Sequence, residues 1–444
     1  MVGSVLPAGL ISVTSRFRRA AGIRSLIVGR KIHMLTRGRP LRLAYFVSHP
    51  IQYQAPLLRR IAREPDIDLE VFFSSDHTVR GYVDEGFGVN VEWDVPLLEG
   101  YHSSFLPRWR DAGKEPRFWR PLNHGIFERL ERGHFDAVWS HGYSTVNSLR
   151  VIASAAMLHI PVLLRAESTL HDRARSRAKL LAKEGFFRIL QSQVSALLAI
   201  GEANERYWRH YFGDATPIFR MPYAVDNDFF QQRAAEAVPS RDAFRAELGL
   251  DPGRPIILFA SKLQERKRCT DLVAAQSLLR QPRPYLLIVG DGEERQRLEQ
   301  QAAGDADIRF LGFRNQTQLP RFFDLCNVFV LPSRHEPWGL VVNEAMNAGR
   351  PTVVSDDVGC QQDLVREGET GAVFPVGDVA ALAAAIQRVL DTPERAARMG
   401  AAARTHIGRF SFEQDIAGLR QALACCVPGF DARNSGETSA QSPL

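Results

Sequence analysis

Two glutamates, separated by a turn and the start of an apolar helix, carry the clearest chemistry in this sequence. Glu336 and Glu344 lie eight positions apart in HEPWGLVVNEAMNAGRPTVVS (335–355). The preceding run NVFVLPS (327–333) is mostly apolar and β-branched, which predicts a buried strand, and PTVVS (351–355) predicts the next one. A helix that begins after such a strand presents its first backbone N–H groups where open α/β sheets bind ligands.

The backbone N–H groups around Gly339 and Leu340 would suit a phosphate group. A carboxylate in the same region would repel that phosphate, so Glu344 needs another partner. A pair of ribose hydroxyls fits, because one carboxylate accepts two hydrogen bonds. Glu336 lies at the mouth of the turn, where a donor sugar ring is expected. The alternatives are an exposed helix glutamate and a helix-capping acid, but together the residues predict a nucleotide-sugar site.

Lys262 and Lys267 lie five positions apart in ASKLQERKRCTDLV (260–273), just after a predicted strand. In a strand-to-helix loop, two such cations can straddle a diphosphate and stabilise it as it leaves, without a metal. A solvated basic loop is the alternative reading of this segment.

Two other ligand-binding motifs are only partly matched by this sequence. VGDG (289–292) lacks the third glycine of a dinucleotide fingerprint and is followed by acidic residues, which argues against a nicotinamide enzyme. Asp305-Ala306-Asp307 has the letters of the Asp-x-Asp motif of metal-dependent sugar transferases, but it precedes a strand instead of ending one. We therefore expect no metal site and no cofactor.

Two successive α/β sets must position these residues. LRLAYFVSH (41–49), a helix and IDLEVFFSS (67–75) predict a βαβ unit that opens a doubly wound domain. The charged interval 226–255 is predicted to be an irregular connection, and two domains on either side of it would enclose a cleft. Further strands are predicted at 135–141, 160–166, 195–201 and 216–222, and then at 255–261, 285–291, 308–313, 327–333, 351–355 and 371–376.

The composition bounds the class of protein. A chain of 444 residues with 45% hydrophobic and 24% charged residues is typical of two or three globular domains. It lacks an apolar run long enough for a transmembrane helix. Five scattered cysteines without metal-ligand spacing predict reduced thiols in a cytoplasmic protein.

The net charge of +6 is concentrated at one end. Residues 1–40 contain eight basic and no acidic residues, which leaves −2 for the other 404 residues. A nearly neutral body gives no reason to expect nucleic acid as a partner. The basic segment is predicted to be an arm attracted to anionic lipid, a targeting segment, or an extension ahead of a true start at Met34.

The segment 335–355 resembles the Glu, seven residues, Glu signature of retaining family-four glycosyltransferases (glycosyltransferase group 1). The stretches 286–299 and 356–386 resemble neighbouring parts of the same family. The similarity is close over 255–412 and loose in the N-terminal half. It implies the GT-B fold, in which two Rossmann-like doubly wound domains face each other across a cleft.

The resemblance also implies a domain plan. Residues 40–225 would form the acceptor domain, completed by a C-terminal helix at 412–426, and residues 226–411 would form the donor domain. Residues 1–39 and 427–444 would be disordered extensions.

For the donor domain, the resemblance places Glu336 beside the transferred sugar and Glu344 on the ribose. Lys262 departs from the family, which usually has arginine there, and Lys267 matches it. The base would lie against the backbone of the turn after LGF (311–313). The remaining predicted donor-binding residues are Trp338, Gly339, Leu340, Phe313 and Arg314.

For the acceptor domain, His141 matches a family histidine at the cleft. Glu167 stands where relatives have a second histidine, and Tyr223 interrupts their Pro-Asn-Gly-Val-Asp segment. The loop HPIQYQAP (49–56) replaces a glycine-containing turn and marks a subgroup. Its residues His49, Gln52, Tyr53 and Gln54 are predicted, with Glu167, to face an acceptor or phosphate; for the loop residues, a capping and packing role is the alternative.

The expected function is metal-independent, retaining transfer of a sugar from a nucleoside diphosphate, most simply UDP, to a glycan or lipid-linked acceptor of polysaccharide or cell-envelope synthesis. The alternatives are a non-catalytic nucleotide-sugar binding or assembly protein and a GT-B nucleotide-sugar epimerase. A basic amphipathic helix at 171–190 allows peripheral contact with an anionic membrane at the inner face of the cell membrane. The aromatic, basic loop at 101–123 would suit a carbohydrate or lipid-carrier acceptor. A solvated helix face and a folded surface loop are the alternatives.

Overall fold

A computed structural model describes most of the chain. The basic extension, up to residue 38, and the C-terminal tail from residue 434 lie outside the described residues. No helix in the described part of the chain is both long and apolar enough to cross a membrane. The described residues are 39–84, 86–110, 117–170 and 177–433.

The N-terminal half alternates strands and helices. Its strands are β1 (Leu41–Val47), β2 (Ile67–Phe73), β3 (Tyr82–Asp84), β4 (Val89–Val91), β5 (His102–Phe105), β6 (Arg108–Arg110), β7 (Leu122–Asn123), β8 (Ala137–His141), β9 (Val162–Arg165), β10 (Ala196–Ala199) and β11 (Ile218–Arg220). Its helices are α1 (Ala55–Ile61), α2 (Ile126–Gly133), α3 (Val146–Met157), α4 (Arg177–Gln191) and α5 (Glu202–Phe212).

The C-terminal half repeats this alternation. Its strands are β12 (Ile256–Ala260), β13 (Tyr285–Val289), β14 (Ile308–Gly312), β15 (Val328–Leu331), β16 (Thr352–Ser355) and β17 (Gly371–Phe374). Its helices are α6 (Asn227–Ala237), α7 (Arg241–Glu247), α8 (Cys269–Gln276), α9 (Arg295–Gln301), α10 (Leu319–Leu325), α11 (Leu340–Asn347), α12 (Gln361–Leu364), α13 (Val379–Val389) and α14 (Pro393–Ile407), and α15 (Phe412–Cys426) ends the described helices.

Each half is built on one parallel sheet. The N-terminal sheet has the order β11-β10-β9-β8-β1-β2-β5, and the C-terminal sheet has the order β14-β13-β12-β15-β16-β17. In β1, Leu43 and Tyr45 pack into one apolar cluster while Ala44 and Phe46 pack into another. A parallel sheet is covered on both faces, so its strands appear as continuous apolar runs in the sequence. The two α/β domains of a GT-B fold are confirmed.

The last helix, α15, packs on the N-terminal sheet. Ile416 and Leu419 join the apolar cluster of β1, β2 and β10. Asp415 accepts a hydrogen bond of 3.0 Å from Arg165 at the end of β9, and both side chains are only 1% exposed. Arg420 of the same helix pairs with Asp66 at the start of the N-terminal half. The chain therefore crosses between its two halves twice.

The connection predicted to be irregular at 226–255 is largely helical, which corrects that prediction. Asp226 caps α6 by accepting a hydrogen bond from the Phe229 backbone N–H at 3.0 Å. Phe230 and Phe244 are buried in the cluster that covers one face of the C-terminal sheet. The charged residues that hid these helices lie on their solvent side.

Residues 427–433, which were predicted to belong to a disordered tail, make defined contacts in the structure. Val427 is buried, and Phe430 lies under the guanidinium of Arg420 at 5.2 Å. Residues 427–433 therefore pack back against α15 and the N-terminal half.

Candidate active site

A cleft of about 350 Å³, here called the central cleft, lies between the two halves. Loops at the carboxyl ends of β12, β13, β14 and β15 form its C-terminal wall, as expected for an open parallel sheet. The side chains facing it include Gln52, Tyr53, Asp84, Phe87 and Trp93 from the N-terminal half, and Lys262, Arg266, Lys267, Phe313, Arg314, Glu336, Leu340 and Glu344 from the C-terminal half.

Glu336 faces the central cleft from the turn that follows β15. Its carboxylate accepts hydrogen bonds from Lys267 Nζ and, at 3.1 Å, from Arg266 Nη1. Burial would raise the pKa of this carboxyl, but the positive charges of Lys267 and Arg266 outweigh burial and hold the pKa below its ordinary value. Glu336 is therefore an ionised carboxylate at neutral pH, and its backbone N–H and C=O are fixed by Asp357 and Gly359.

Lys267 lies on the floor of the cleft and is 7% exposed. Burial lowers the pKa of its ammonium group, and the carboxylate of Glu336 opposes that change. A short 3₁₀ turn, Glu265–Lys267, presents the lysine to the cleft. The two predicted chemical groups, a carboxylate and a cation, are thus brought into direct contact.

Gly339 precedes the N-terminus of α11 in a left-handed conformation, with φ +97°. A Cβ atom there would lie 3.1 Å from Leu331 and 3.2 Å from Val358, so this turn favours glycine in both torsion angle and space. The first N–H groups of α11, beginning at Leu340, lie at the cleft, where their partial positive charge can meet an anion.

Glu344 lies one turn into α11 and also lines the cleft. Within the described residues, no hydrogen-bond donor contacts its carboxylate. Burial raises the pKa of this carboxyl to about 8. An unpaired, desolvated carboxylate is costly to keep in a folded protein, and its position in a cleft is typical of a group that awaits a ligand.

Lys262 is held by a carboxylate from the opposite half of the chain. Its Nζ lies 2.7 Å and 2.9 Å from the two carboxylate oxygens of Asp84. The ammonium also lies 4.9 Å from the ring centroid of Phe87. The two predicted lysines therefore both face the central cleft, each beside a different carboxylate.

The hairpin β3–β4 and the residues after it reach across the cleft to the loop that follows β14. Phe87 packs edge-on against Phe313, with 4.8 Å between ring centroids. Asn315 donates to the backbone carbonyl of Glu92 at 2.6 Å. Arg314 lines the same end of the cleft, and its buried Nε has no hydrogen-bond partner among the described residues. This end of the cleft thus combines aromatic rings with an N–H group that has no partner among the described residues, next to the residues predicted to bind the nucleotide base.

Trp338 has a different position from the one predicted. Its indole is 3% exposed and donates to Asn343 Oδ1 at 3.0 Å. The ring packs against Tyr223, and a Cβ on Gly201 would lie 2.3 Å from it. Trp338 therefore fills the core between the two halves instead of lining the central cleft, and the prediction that it binds a donor is corrected. An apolar side chain in a ligand-binding turn can face either way, and packing decides its direction.

A second cavity of about 620 Å³, here called the N-terminal pocket, is lined by residues of the N-terminal half and by Pro337, the residue that follows Glu336. His141 and Glu167 line it, at the ends of β8 and β9. Other lining residues carry hydroxyl groups or aromatic rings, namely Ser48, Ser74, Tyr143, Ser144, Thr145, Ser148, Ser168, Phe186, Phe187 and Tyr207.

His141 is held in its rotamer by neighbours on both ring nitrogens. Tyr45 Oη lies 3.1 Å from Nδ1, and Tyr223 Oη lies 3.4 Å from Nε2. Burial, with the nearby charge of Arg165, lowers the pKa of this histidine to about 3. His141 is therefore a neutral imidazole at physiological pH and a hydrogen-bonding group, not a cation.

Glu167 accepts hydrogen bonds from two tyrosines, Tyr53 at 3.2 Å and Tyr223. Two residues that depart from the family pattern, Glu167 and Tyr223, are thus direct partners. Glu167 also lines a small cavity together with Glu336 and Pro337, so it lies between the N-terminal pocket and Glu336.

The residues of the loop 49–56 divide between the central cleft and the protein interior. Gln52 and Tyr53 line the central cleft. Gln54 is 4% exposed and accepts from Tyr45 at 2.7 Å, so it braces His141 instead of facing a ligand. His49 lines neither cavity; it bonds Ser48 and packs on His77. The predicted ligand contacts of His49 and Gln54 are therefore corrected.

Sequence reasoning missed the cleft residues that come from one N-terminal segment, Asp84, Phe87 and Trp93. They lie in GYVDEGFGVNVEWD (81–94), whose strands of three residues are too short to give a periodic signal. The glycines and the acidic turn predict a hairpin in retrospect, but not that it crosses to the other half. Among the described residues, no group of three His, Cys, Asp or Glu side chains could hold a metal ion.

Comparisons with known proteins agree with this arrangement. The model of the family "Glycosyl transferases group 1" matches residues 240–406. A D-inositol 3-phosphate glycosyltransferase of Streptomyces scabiei is 32% identical over 330 residues, which cover 69% of this chain and 72% of the relative.

Two solved structures share the fold. Sucrose-phosphate synthase from Thermosynechococcus elongatus superposes with a TM-score of 0.62 at 23% identity, over 84% of this chain and 96% of that one. Anabaena HepE, solved in complex with UDP and glucose, superposes with a TM-score of 0.63 at 18% identity, over 84% of this chain and 97% of that one.

Proposed function

The chain belongs to the group 1 glycosyltransferases, and we propose that it transfers a sugar, with retention of anomeric configuration and without a metal ion, from a nucleoside diphosphate to a hydroxyl group of a glycan or lipid-linked acceptor. Glycosyltransferase activity with a nucleotide-sugar donor follows from the family. The stereochemistry, the metal independence, the acceptor and the roles of individual residues are the proposal.

One observation carries the proposal. A single cleft contains three cations, Lys262, Arg266 and Lys267, together with the N-terminus of α11 and the carboxyl group of Glu344, to which the described residues donate no hydrogen bond. Cations and helix N–H groups match a diphosphate. The carboxylate matches the two adjacent hydroxyls of a ribose.

The chemistry follows from these charges. As the bond between the anomeric carbon and the diphosphate oxygen breaks, negative charge grows on the diphosphate, and Lys262 and Lys267 stabilise it. Positive charge grows on the sugar, and the ionised Glu336 stabilises that. The acceptor oxygen bonds to the anomeric carbon from the face that the nucleotide leaves, and its proton passes to the departing diphosphate. Both the new bond and the old one lie on one face, so the configuration is retained.

The N-terminal pocket supports a glycan as the acceptor. Its hydroxyl groups can bind sugar hydroxyls, and its aromatic rings can stack on the apolar faces of sugars. On the outer side of this pocket, helix α4 exposes Leu181 and Ile189 near Lys179 and Arg188. Contact of this helix with an anionic membrane stays a prediction, which co-sedimentation with anionic vesicles would test.

Binding of UDP, GDP and ADP, measured by thermal shift, tests the donor site. Selective stabilisation by one of them, weakened in Glu344→Gln, is the expected result, because ligand binding to the folded state raises the melting temperature. The absence of a shift with all three nucleotides would contradict the proposal.

Glu344→Gln should also stabilise the nucleotide-free protein. Burial raises the pKa of Glu344 to about 8 in the folded state, whereas an unfolded glutamate titrates near 4.3. The wild type therefore loses stability relative to the glutamine variant as pH rises from about 4.3 to about 8, and the difference stays constant above that. Melting temperatures from pH 5 to pH 9 would measure this. If the difference in melting temperature between Glu344→Gln and the wild type does not grow with pH, the Glu344 carboxyl does not have a raised pKa in the folded protein.

Excess EDTA should leave the rate of transfer unchanged, because cations of the protein itself neutralise the diphosphate. The check is UDP release from the selected UDP-sugar with and without EDTA, after dialysis. A rate that EDTA abolishes and Mg²⁺ or Mn²⁺ restores would overturn the metal-independent mechanism.

A further inference from the structure

Asp84 brings a negative charge to the part of the central cleft where the proposed function requires a diphosphate. Its carboxylate is 4% exposed and contacts Lys262 Nζ with both oxygens, at 2.7 Å and 2.9 Å. The contact joins opposite halves of the chain, since Asp84 ends β3 and Lys262 follows β12. A bound diphosphate and this carboxylate would compete for the same ammonium group.

The approach of the two halves at this point is close. A Cβ atom on Gly86 would lie 2.6 Å from Lys262 Cδ, and a Cβ atom on Gly292 would lie 2.8 Å from the carbonyl oxygen of Gly86. At Gly292 the crowding is with backbone atoms, so a side chain there would push the hairpin away, whereas a side chain at Gly86 would displace Lys262 from its present position. With the hairpin docked in this way, Asp84 meets Lys262 at hydrogen-bonding distance.

The carboxylate of Asp84 has other partners that do not depend on the C-terminal half. One of its oxygens accepts hydrogen bonds from the backbone N–H groups of Gly86, at 2.8 Å, and Phe87, at 3.0 Å. These bonds lie within the hairpin. If Lys262 turns to a phosphate, the carboxylate keeps two donors, so exchanging one anion for the other leaves no buried charge without a hydrogen bond.

We propose that Asp84 is a specificity-determining residue of the donor site. Its carboxylate binds Lys262 in place of the diphosphate, so a ligand must carry enough negative charge to displace Asp84 from the lysine. This inference rests on the proposed function. The apparent affinity for a diphosphate is then proportional to the fraction of molecules in which Lys262 is not paired with Asp84. Removing the charge of Asp84 raises that fraction and therefore the affinity.

Asp84→Asn tests the proposal, because asparagine keeps the oxygen that accepts from Gly86 and Phe87 but loses the charge. We expect calorimetric titration to give UDP binding at least about fivefold tighter than in the wild type, with binding of uridine, which has no phosphate, unchanged.

Asp94→Asn is the matched control. Asp94 follows the same hairpin and also crosses the cleft, but it contacts an uncharged partner, the backbone N–H of Thr317, at 3.2 Å. This variant should leave the ratio of uridine to UDP affinities as it is in the wild type. The same tightening in both variants would show that looser docking of the hairpin, not charge, is responsible, and would overturn the proposal.

The remaining outcomes are also decisive. Unchanged or weaker UDP binding in Asp84→Asn would overturn the competition. Unchanged UDP binding with weaker UDP-sugar binding would instead make Asp84 a sugar ligand. If UDP, GDP and ADP all fail to bind both the wild type and Asp84→Asn, the proposed function fails and this inference with it.

Discussion

Glu336→Gln should lower the rate of sugar transfer by about 10³-fold while the protein stays folded and still binds nucleotide. The substitution keeps the size of the side chain and a hydrogen-bond acceptor for Lys267 and Arg266. It removes the negative charge that faces the developing positive charge on the sugar, and losing one such electrostatic contact typically costs about 10²–10³ in rate. The measurement is UDP release from the UDP-sugar selected by the binding screen.

Glu265→Gln provides the control, since Glu265 is an exposed carboxylate in the short turn that carries Lys267. It should keep a nearly normal rate. Melting curves of both variants would separate loss of chemistry from loss of folding. A nearly normal transfer rate in Glu336→Gln would show that Glu336 does not stabilise the transition state.

Asp415→Ala should destabilise the protein by about 3–5 kcal/mol, the largest stability effect that we expect from a single substitution. Removing this carboxylate leaves the guanidinium of Arg165 buried without a counter-charge, which is far more costly than losing a surface pair. Burial raises the pKa of Asp415 to about 7 although Arg165 opposes the rise, so the comparison belongs at pH 8.5, where the carboxylate is ionised.

Glu413→Ala tests the same helix at a solvent-exposed position. Glu413 pairs with Arg60 at 3.3 Å, and both side chains are about half exposed. The variant should therefore lose no more than about 1 kcal/mol of the free energy of unfolding. Urea unfolding would measure both variants. Similar losses would mean that the Arg165–Asp415 pair does not anchor α15 to the N-terminal sheet.

The parts of the molecule that the sequence predicted well are those whose signal is local. Strands β1 and β12 are buried on both faces, so each is a continuous apolar run, and the turn before α11 is marked by Gly339. The two glutamates and two lysines of the central cleft were found because each follows such a strand. A parallel sheet brings the ends of neighbouring strands together whatever the details of packing.

The parts that were missed depend on contacts between distant segments. The hairpin that carries Asp84 lies 178 positions before Lys262, and no local pattern specifies that they meet. Trp338 was assigned to the cleft by its place in the turn, but its indole fits a space opened by Gly201. The pairing of Glu167 with Tyr223 has the same origin, since the two residues come from different loops.

The return of α15 to the N-terminal sheet has a consequence for biosynthesis. The ribosome makes β10 and β11 about 210 and about 190 residues before it makes the helix that covers them. The N-terminal half therefore cannot complete its core while the C-terminal half is being synthesised. The second half of the polypeptide can reach its native state first. The face of β10 and β11 that α15 covers then stays open until α15 itself has been translated, so this apolar surface is exposed in the nascent chain for longer than the rest of the sheet.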